Sequence, residues 1–316
     1  MGENIIEVKN LTKQYMKQKA LNDVSFEIKE GMICGLIGPN GAGKTTVLKA
    51  LGGLILPTDG SISIYGAKGE TELAKARSRM SFMIEVPYAK ENMTARQNLE
   101  KQRLQKGIPD KKRIDEVLKI VGLENTGKKQ VKNFSLGMRQ RLGIAIALLS
   151  KPEVMIMDEP INGLDPEGII EIRELLTRLN REEHITIVIS SHILSELSLL
   201  CTDYIFIHHG EVIQSISSDE LKNKCKEFYY IHTDNDEKAL AILQQYIRDI
   251  DCDVNEDGSI RLYGQLDNIR EVSKALYEGG VIPLTLKVNE ANLEKYYMDM
   301  VGEQNVEHNE STALSN

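Results

Sequence analysis

Hydrophobic and polar positions alternate at the start of the chain, through Ile6 and Val8 and again through Val24, Phe26 and Ile28. This period of two predicts two antiparallel strands joined by a loop over the basic stretch from Lys13 to Lys19. A short apolar run at residues 32–37 stops at a glycine-rich turn, and residues 45–54 then carry Val47, Leu48 and Leu51 at helical spacing. The order there is strand, loop, helix. Ile114, Val117, Leu118 and Val121 fall at i, i+3, i+4 and i+7, which predicts an amphipathic helix over residues 110–121. Residues 96–104 predict another helix, and helical periodicity persists to Leu149, so a helical subdomain over about residues 90–150 is expected inside an α/β core. Apolar runs at 154–157 and 185–189, separated by a helical pattern at 169–179, read as buried parallel strands with a crossover helix.

Past residue 220 the pattern changes. Strand-like runs at 228–232, 252–254, 260–263 and 282–288 alternate with helical runs at 237–247 and 269–276, giving βαββαβ, the split motif of ferredoxin-like domains. Asp257-Gly258 is a hairpin signal between the two middle strands. A last helix from residue 292 would put Leu293, Tyr296, Tyr297, Met300 and Val301 on one stripe, and the polar residues 302–316 read as a disordered tail. The expected domains are therefore 1–217, a small α+β module at 218–301, and the tail.

With 316 residues, 41% of them hydrophobic, the chain has material for more than one packed core. No apolar stretch reaches 18 residues, so no membrane span is expected, and the first residues resemble neither a signal nor a transit peptide. A cytoplasmic protein is the expectation. Cys34, Cys201, Cys225 and Cys252 lack the paired spacing of zinc sites or disulfide frameworks and read as reduced thiols. The net charge of −8 is uneven: residues 1–220 balance, with 29 basic and 29 acidic groups, and the whole excess falls in 221–316. That surplus argues against nucleic acid as a partner.

Gly38-Pro39-Asn40-Gly41-Ala42-Gly43-Lys44-Thr45 matches the P-loop pattern and lies between a predicted strand and a predicted helix, as that motif requires. The glycines Gly38, Gly41 and Gly43 let backbone N–H groups turn in around a phosphate. Lys44 supplies a cation, the Thr45 hydroxyl can ligate Mg²⁺, and Thr46 adds a second hydroxyl. By itself this leaves kinases, GTPases and several ATPase classes open. Residues 154–159 narrow the choice: four apolar residues deliver Asp158 to a metal shell, and the adjacent Glu159 can polarise a water. Two neighbouring carboxylates with two roles imply hydrolysis, and a guanine-reading Asn-Lys-x-Asp is absent.

Together with Phe134-Ser135-Leu136-Gly137-Met138-Arg139-Gln140-Arg141, these motifs over residues 1–217 resemble the nucleotide-binding subunit of an ABC transporter. The resemblance implies an α/β P-loop NTPase fold with ATP and Mg²⁺ as ligands. It also implies a head-to-tail dimer in which Ser135 and Gly137 of one copy touch the γ-phosphate held by the other. Leu136 and Met138 depart from the more usual glycine and glutamine. Tyr15 resembles the aromatic that stacks on adenine, Asp165 lies in a segment that resembles the loop that crosses the dimer, and His192 resembles the histidine that bonds the γ-phosphate.

Glu85 stands where the family usually has a glutamine, and the loop around it resembles that of lantibiotic and bacitracin-type peptide transporters. A role for Glu85 in metal ligation and in signalling to the membrane subunit is the expectation. The implied function is ATP-driven export of an antimicrobial peptide through separate permease subunits at the inner face of the membrane. An exporter of another small molecule and a soluble non-transport ATPase of the same family are the alternatives.

Overall fold

The computed structural model describes residues 3–84, 89–224, 228–246, 251–255, 257–263, 269–289, 294–298 and 300–301. The chain divides into two compact units, Met1–Ser218 and Asp219–Asn316. In the first, β1 (Asn4–Tyr15) and β2 (Gln18–Lys29) pair antiparallel. They run through the basic stretch where a loop was expected, because Gln14, Lys17, Gln18 and Lys19 are exposed and only Met16, at φ +51°, and Lys17 make the turn. β3 (Ile33–Ile37) is buried at every position and leads into α1 (Lys44–Leu51). The helix stops three residues short of its expected end. Gly52 and Gly53 follow, Gly53 at φ +71°, and Leu54 lies exposed beyond them.

β4 (Asp59–Ile64) pairs with β1, giving the three-stranded order β2-β1-β4. After α2 (Glu70–Arg77) and β5 (Met80–Met83) come the helices α3 (Ala95–Gln105), α4 (Lys112–Ile120) and α5 (Leu136–Leu148). Thr94 and Gln97 open α3 with a reciprocal capping box. β6 (Val154–Asp158), α6 (Pro166–Glu183), β7 (Thr186–Ser191), α7 (Leu194–Ser198), β8 (Asp203–His208) and β9 (Glu211–Ser217) complete the unit. The main sheet has the order β5-β6-β7-β3-β8-β9, parallel except for the β8–β9 hairpin. Its register sets Ile37 beside Ser191 and Asp158 beside Ser190, so the ends of β3, β6 and β7 lie side by side. The carboxyl edge of a parallel sheet is where such folds bind ligands.

In the second unit β10 (Phe228–Thr233), β11 (Asp251–Val254), β12 (Ile260–Tyr263) and β13 (Pro283–Asn289) form an antiparallel sheet of order β11-β12-β10-β13. Two helices, Asp236–Tyr246 and Ile269–Glu278, bury Ala239, Leu243, Val272 and Leu276 against Tyr229, Ile231, Ile260 and Leu262. The Asp257-Gly258 turn joins β11 to β12, with Gly258 at φ +87° and the Asp257 carboxylate accepting from the Ser259 N–H at 3.0 Å. Residues 294–298 and 300–301 are helical, with Tyr297 buried. Leu293, Cys225 and the tail expected at 302–316 lie outside the described residues. Cys34 and Cys201 are buried, and that burial pushes both thiols well up from their ordinary range. No helix among the described residues is long and apolar enough to cross a membrane.

Candidate functional site

The glycine-rich turn after β3 owes its path to the absence of side chains. A Cβ on Gly38 would lie 2.1 Å from the Ile207 carbonyl oxygen, and Gly43, at φ +109°, would set one 2.8 Å from Leu21 Cδ2. Only glycine fits both positions. The turn delivers Lys44 to the first position of α1 with 5% of its surface exposed. A buried ammonium is costly unless it is paired. Lys44 Nζ donates to the carbonyls of Gly38, at 2.7 Å, and Pro39, at 3.2 Å, and lies 3.5 Å from Glu159 Oε1.

Asp158 ends β6 with both carboxylate oxygens engaged. The Thr45 hydroxyl donates to Oδ2 at 2.8 Å and the Ser190 hydroxyl to Oδ1 at 2.5 Å. Glu159, next along, sits at φ +49°, a strained backbone held by its N–H bonding to both the carbonyl and the hydroxyl of Ser190. Its Oε2 lies 2.9 Å from His192 Nδ1, just past the end of β7. The carboxylate is thus fixed between Lys44 and His192.

A cleft of about 310 Å³ opens beside these groups, lined by Asn40, Gly41, Gly43, Lys44, Thr45, Thr46 and Glu159 from the motifs, and by Gln18, Lys19, His209 and Gly210. The last four, and Ala20, which also lines the cleft, were not anticipated. Gln18 and Lys19 open β2, and His209-Gly210 is the β8–β9 turn, stitched in place by Gly210 N–H donating to Ala42 O at 2.9 Å and Asn22 N–H donating to Gly210 O at 2.8 Å. Ser190 was also missed as a functional group. A larger cleft, of about 720 Å³, lies by Arg113, Lys151 and His184 and includes none of the motif residues.

Tyr15 ends β1, 47% exposed, with Lys13 Nζ 5.0 Å from its ring centroid, and does not line the cleft. Its pairing partner across the turn, Gln18, does. Ser135 and Gly137 are also absent from the lining. Ser135 caps α5, its Oγ accepting from the Met138 N–H at 3.2 Å, and Asp165 caps α6, accepting from the Gly168 N–H at 3.2 Å. Glu85 lies outside the described residues.

The donor set fits a nucleoside triphosphate with Mg²⁺. A glycine turn at a helix N-terminus with a buried lysine suits phosphate, and a hydroxyl beside a carboxylate gives the hard oxygens that Mg²⁺ takes. The comparisons with known proteins point the same way. The ABC transporter family model matches residues 21–162. The chain is 42% identical to the bacitracin transport ATP-binding protein BcrA of Bacillus licheniformis over 298 residues, 94% of this chain and 97% of that one. It is 43% identical to the lantibiotic transport ATP-binding protein SrtF of Streptococcus pyogenes over 220 residues, 69% of this chain and 93% of that one. Among solved structures, the dimeric cassette MJ0796 in a post-hydrolysis state with ADP and phosphate matches with a TM-score of 0.61 at 30% identity, covering 67% of this chain and 98% of that one. This ATP-binding, ATP-hydrolysing chain belongs to the ABC transporter family.

Proposed function

We propose that the chain powers export or expulsion of an antimicrobial peptide of the bacitracin or lantibiotic type, through separate membrane permease subunits to which it binds at the cytoplasmic face. The observation that carries this reading is the extent of the likeness. The bacitracin relative aligns over 298 residues, which must reach well into the second unit, whereas the lantibiotic relative aligns over 220. A shared catalytic cassette alone would not require that second unit. Its element order and strand order support a ferredoxin-like module at 218–301, following the cassette of 1–217 and its helical subdomain. The test is copurification with the permease encoded alongside it, then a survival assay under bacitracin, a lantibiotic and an unrelated drug. Protection against the drug alone contradicts the peptide reading.

In the mechanism, Lys44 and the N–H groups of residues 41–46 hold the triphosphate, with Tyr15 at the adenine. Thr45 and Asp158 would hold Mg²⁺, which would supply neutralisation of phosphate charge. Glu159 accepts the proton of the attacking water, and His192, 2.9 Å from it, orients the carboxylate and reaches the γ-phosphate. Two copies close head to tail, with Ser135, Gly137 and Asp165 of one completing the site of the other. The Ser135 hydroxyl uses its oxygen to cap α5 and keeps its proton for an anion.

Ser190 holds both carboxylate residues, so Ser190→Ala should lower kcat about tenfold, the equivalent of about 1.4 kcal/mol, with nucleotide affinity changed much less. Steady-state phosphate release against a nucleotide titration checks this. Glu85 is proposed to ligate the metal, directly or through water, and to pass ATP occupancy to the permease. For Glu85→Gln the expected result is transport reduced more than ATP hydrolysis, and both at parental values would end the assignment.

A further inference from the structure

Leu136 replaces a residue that the family usually keeps as glycine, and its surroundings give it a task. A Cβ built on Gly163 would lie 3.4 Å from Leu136 Cδ2, and one built on Gly137 would lie 3.9 Å from Leu164 Cδ2. Leu136-Gly137 at the start of α5 and Gly163-Leu164 in the loop before α6 therefore interlock, each leucine lying over the other segment's glycine. Asn162 N–H donates to the Glu159 carbonyl at 3.2 Å and Leu164 N–H to that of Ile161 at 3.4 Å, both long, and Gly163 is left-handed at φ +74°. Leu136 is 39% exposed, so more than half of its surface is covered.

We infer that Leu136 is a positioning residue that ties the start of α5 to the loop 162–165 within one protomer, so that Ser135 and Asp165 face the partner copy as one rigid edge. A glycine at 136 would leave the two segments free to move apart. The loop begins three residues after Glu159, so the same contact also restrains the chain that leaves the catalytic carboxylate. The consequence for catalysis rests on the head-to-tail reading, whereas the contact itself belongs to the single chain.

The test is amide hydrogen exchange on the full chain without nucleotide, comparing the parent with Leu136→Ala and Leu136→Met. Alanine keeps the helix start and removes the contact, and methionine restores apolar reach. The expected result is exchange about tenfold faster at Asn162 and Leu164 in Leu136→Ala, returning to within about twofold of the parent in Leu136→Met, with β3 and β6 unchanged. Parental protection of Asn162 and Leu164 in Leu136→Ala overturns the inference, as does acceleration spread equally over β3 and β6. A separate arm measures ATP-dependent dimerisation of Glu159→Gln by sedimentation. If that variant stays monomeric, the head-to-tail reading fails, while the exchange data still decide the role of Leu136.

Discussion

Replacing Glu159 with glutamine is expected to cut ATP turnover by about 10²–10⁴-fold while leaving nucleotide bound. The substitution is nearly isosteric. Glutamine keeps an oxygen for Lys44, now 3.5 Å from Oε1, and an amide that can bond His192 in place of Oε2. The backbone at φ +49° stays anchored, because its hold is the Ser190 carbonyl and hydroxyl rather than the side chain. What is lost is a group able to accept a proton from water. A factor of 10²–10⁴ is about 3–5 kcal/mol of barrier, far above what one neutral hydrogen bond contributes. The measurements are single-turnover phosphate release and retention of labelled ATP through gel filtration. Turnover within tenfold of the parent would assign the base elsewhere, as would equal losses in turnover and ATP retention.

The parts of this site that are contiguous in the chain could be read from it directly. A strand, a glycine turn and a helix carrying Lys44 and Thr45 occupy nineteen consecutive residues from Ile33 to Leu51, and the five-residue strand that ends at Asp158 is followed directly by Glu159. Each is local chemistry with a local signal. The groups that escaped notice depend on register. Ser190 reaches Asp158 because β6 and β7 align those residues, and nothing in residues 185–191 alone says so. His209 enters the cleft because β8 lies beside β3, which sets the β8–β9 turn against Ala42. Among the strands, β4, β5, β8 and β9 have no counterpart in the expected order, and length alone is not the reason, since β11 and β12, of four residues each, were expected. Tyr15 is the opposite case: the family resemblance singles it out, and the residues that line the cleft from that hairpin are Gln18, Lys19 and Ala20.

Lys44→Ala carries the second large effect, and it falls on binding. The ammonium makes two hydrogen bonds to P-loop carbonyls and one ion pair, all inside the protein. Hydrogen bonds to charged groups contribute about 1.5–3 kcal/mol each, so exchanging two such contacts for phosphate oxygens and then deleting the cation should weaken ATP binding by at least about 100-fold. Stability should move much less. Removing a buried charge ends its desolvation cost, and Glu159, whose side chain is 22% exposed, keeps His192 as a partner. Lys44→Arg should fail to restore affinity, because a planar guanidinium cannot occupy the space where Nζ lies 2.7 and 3.2 Å from two carbonyls of a turn whose Gly38 already lacks room for a methyl group. Calorimetric titration with ATP and a thermal melt of the same samples separate the two quantities. Parental affinity in Lys44→Ala would remove the phosphate-binding role of the turn. A collapse of the melting temperature with affinity intact would make the lysine a structural ion-pair partner instead.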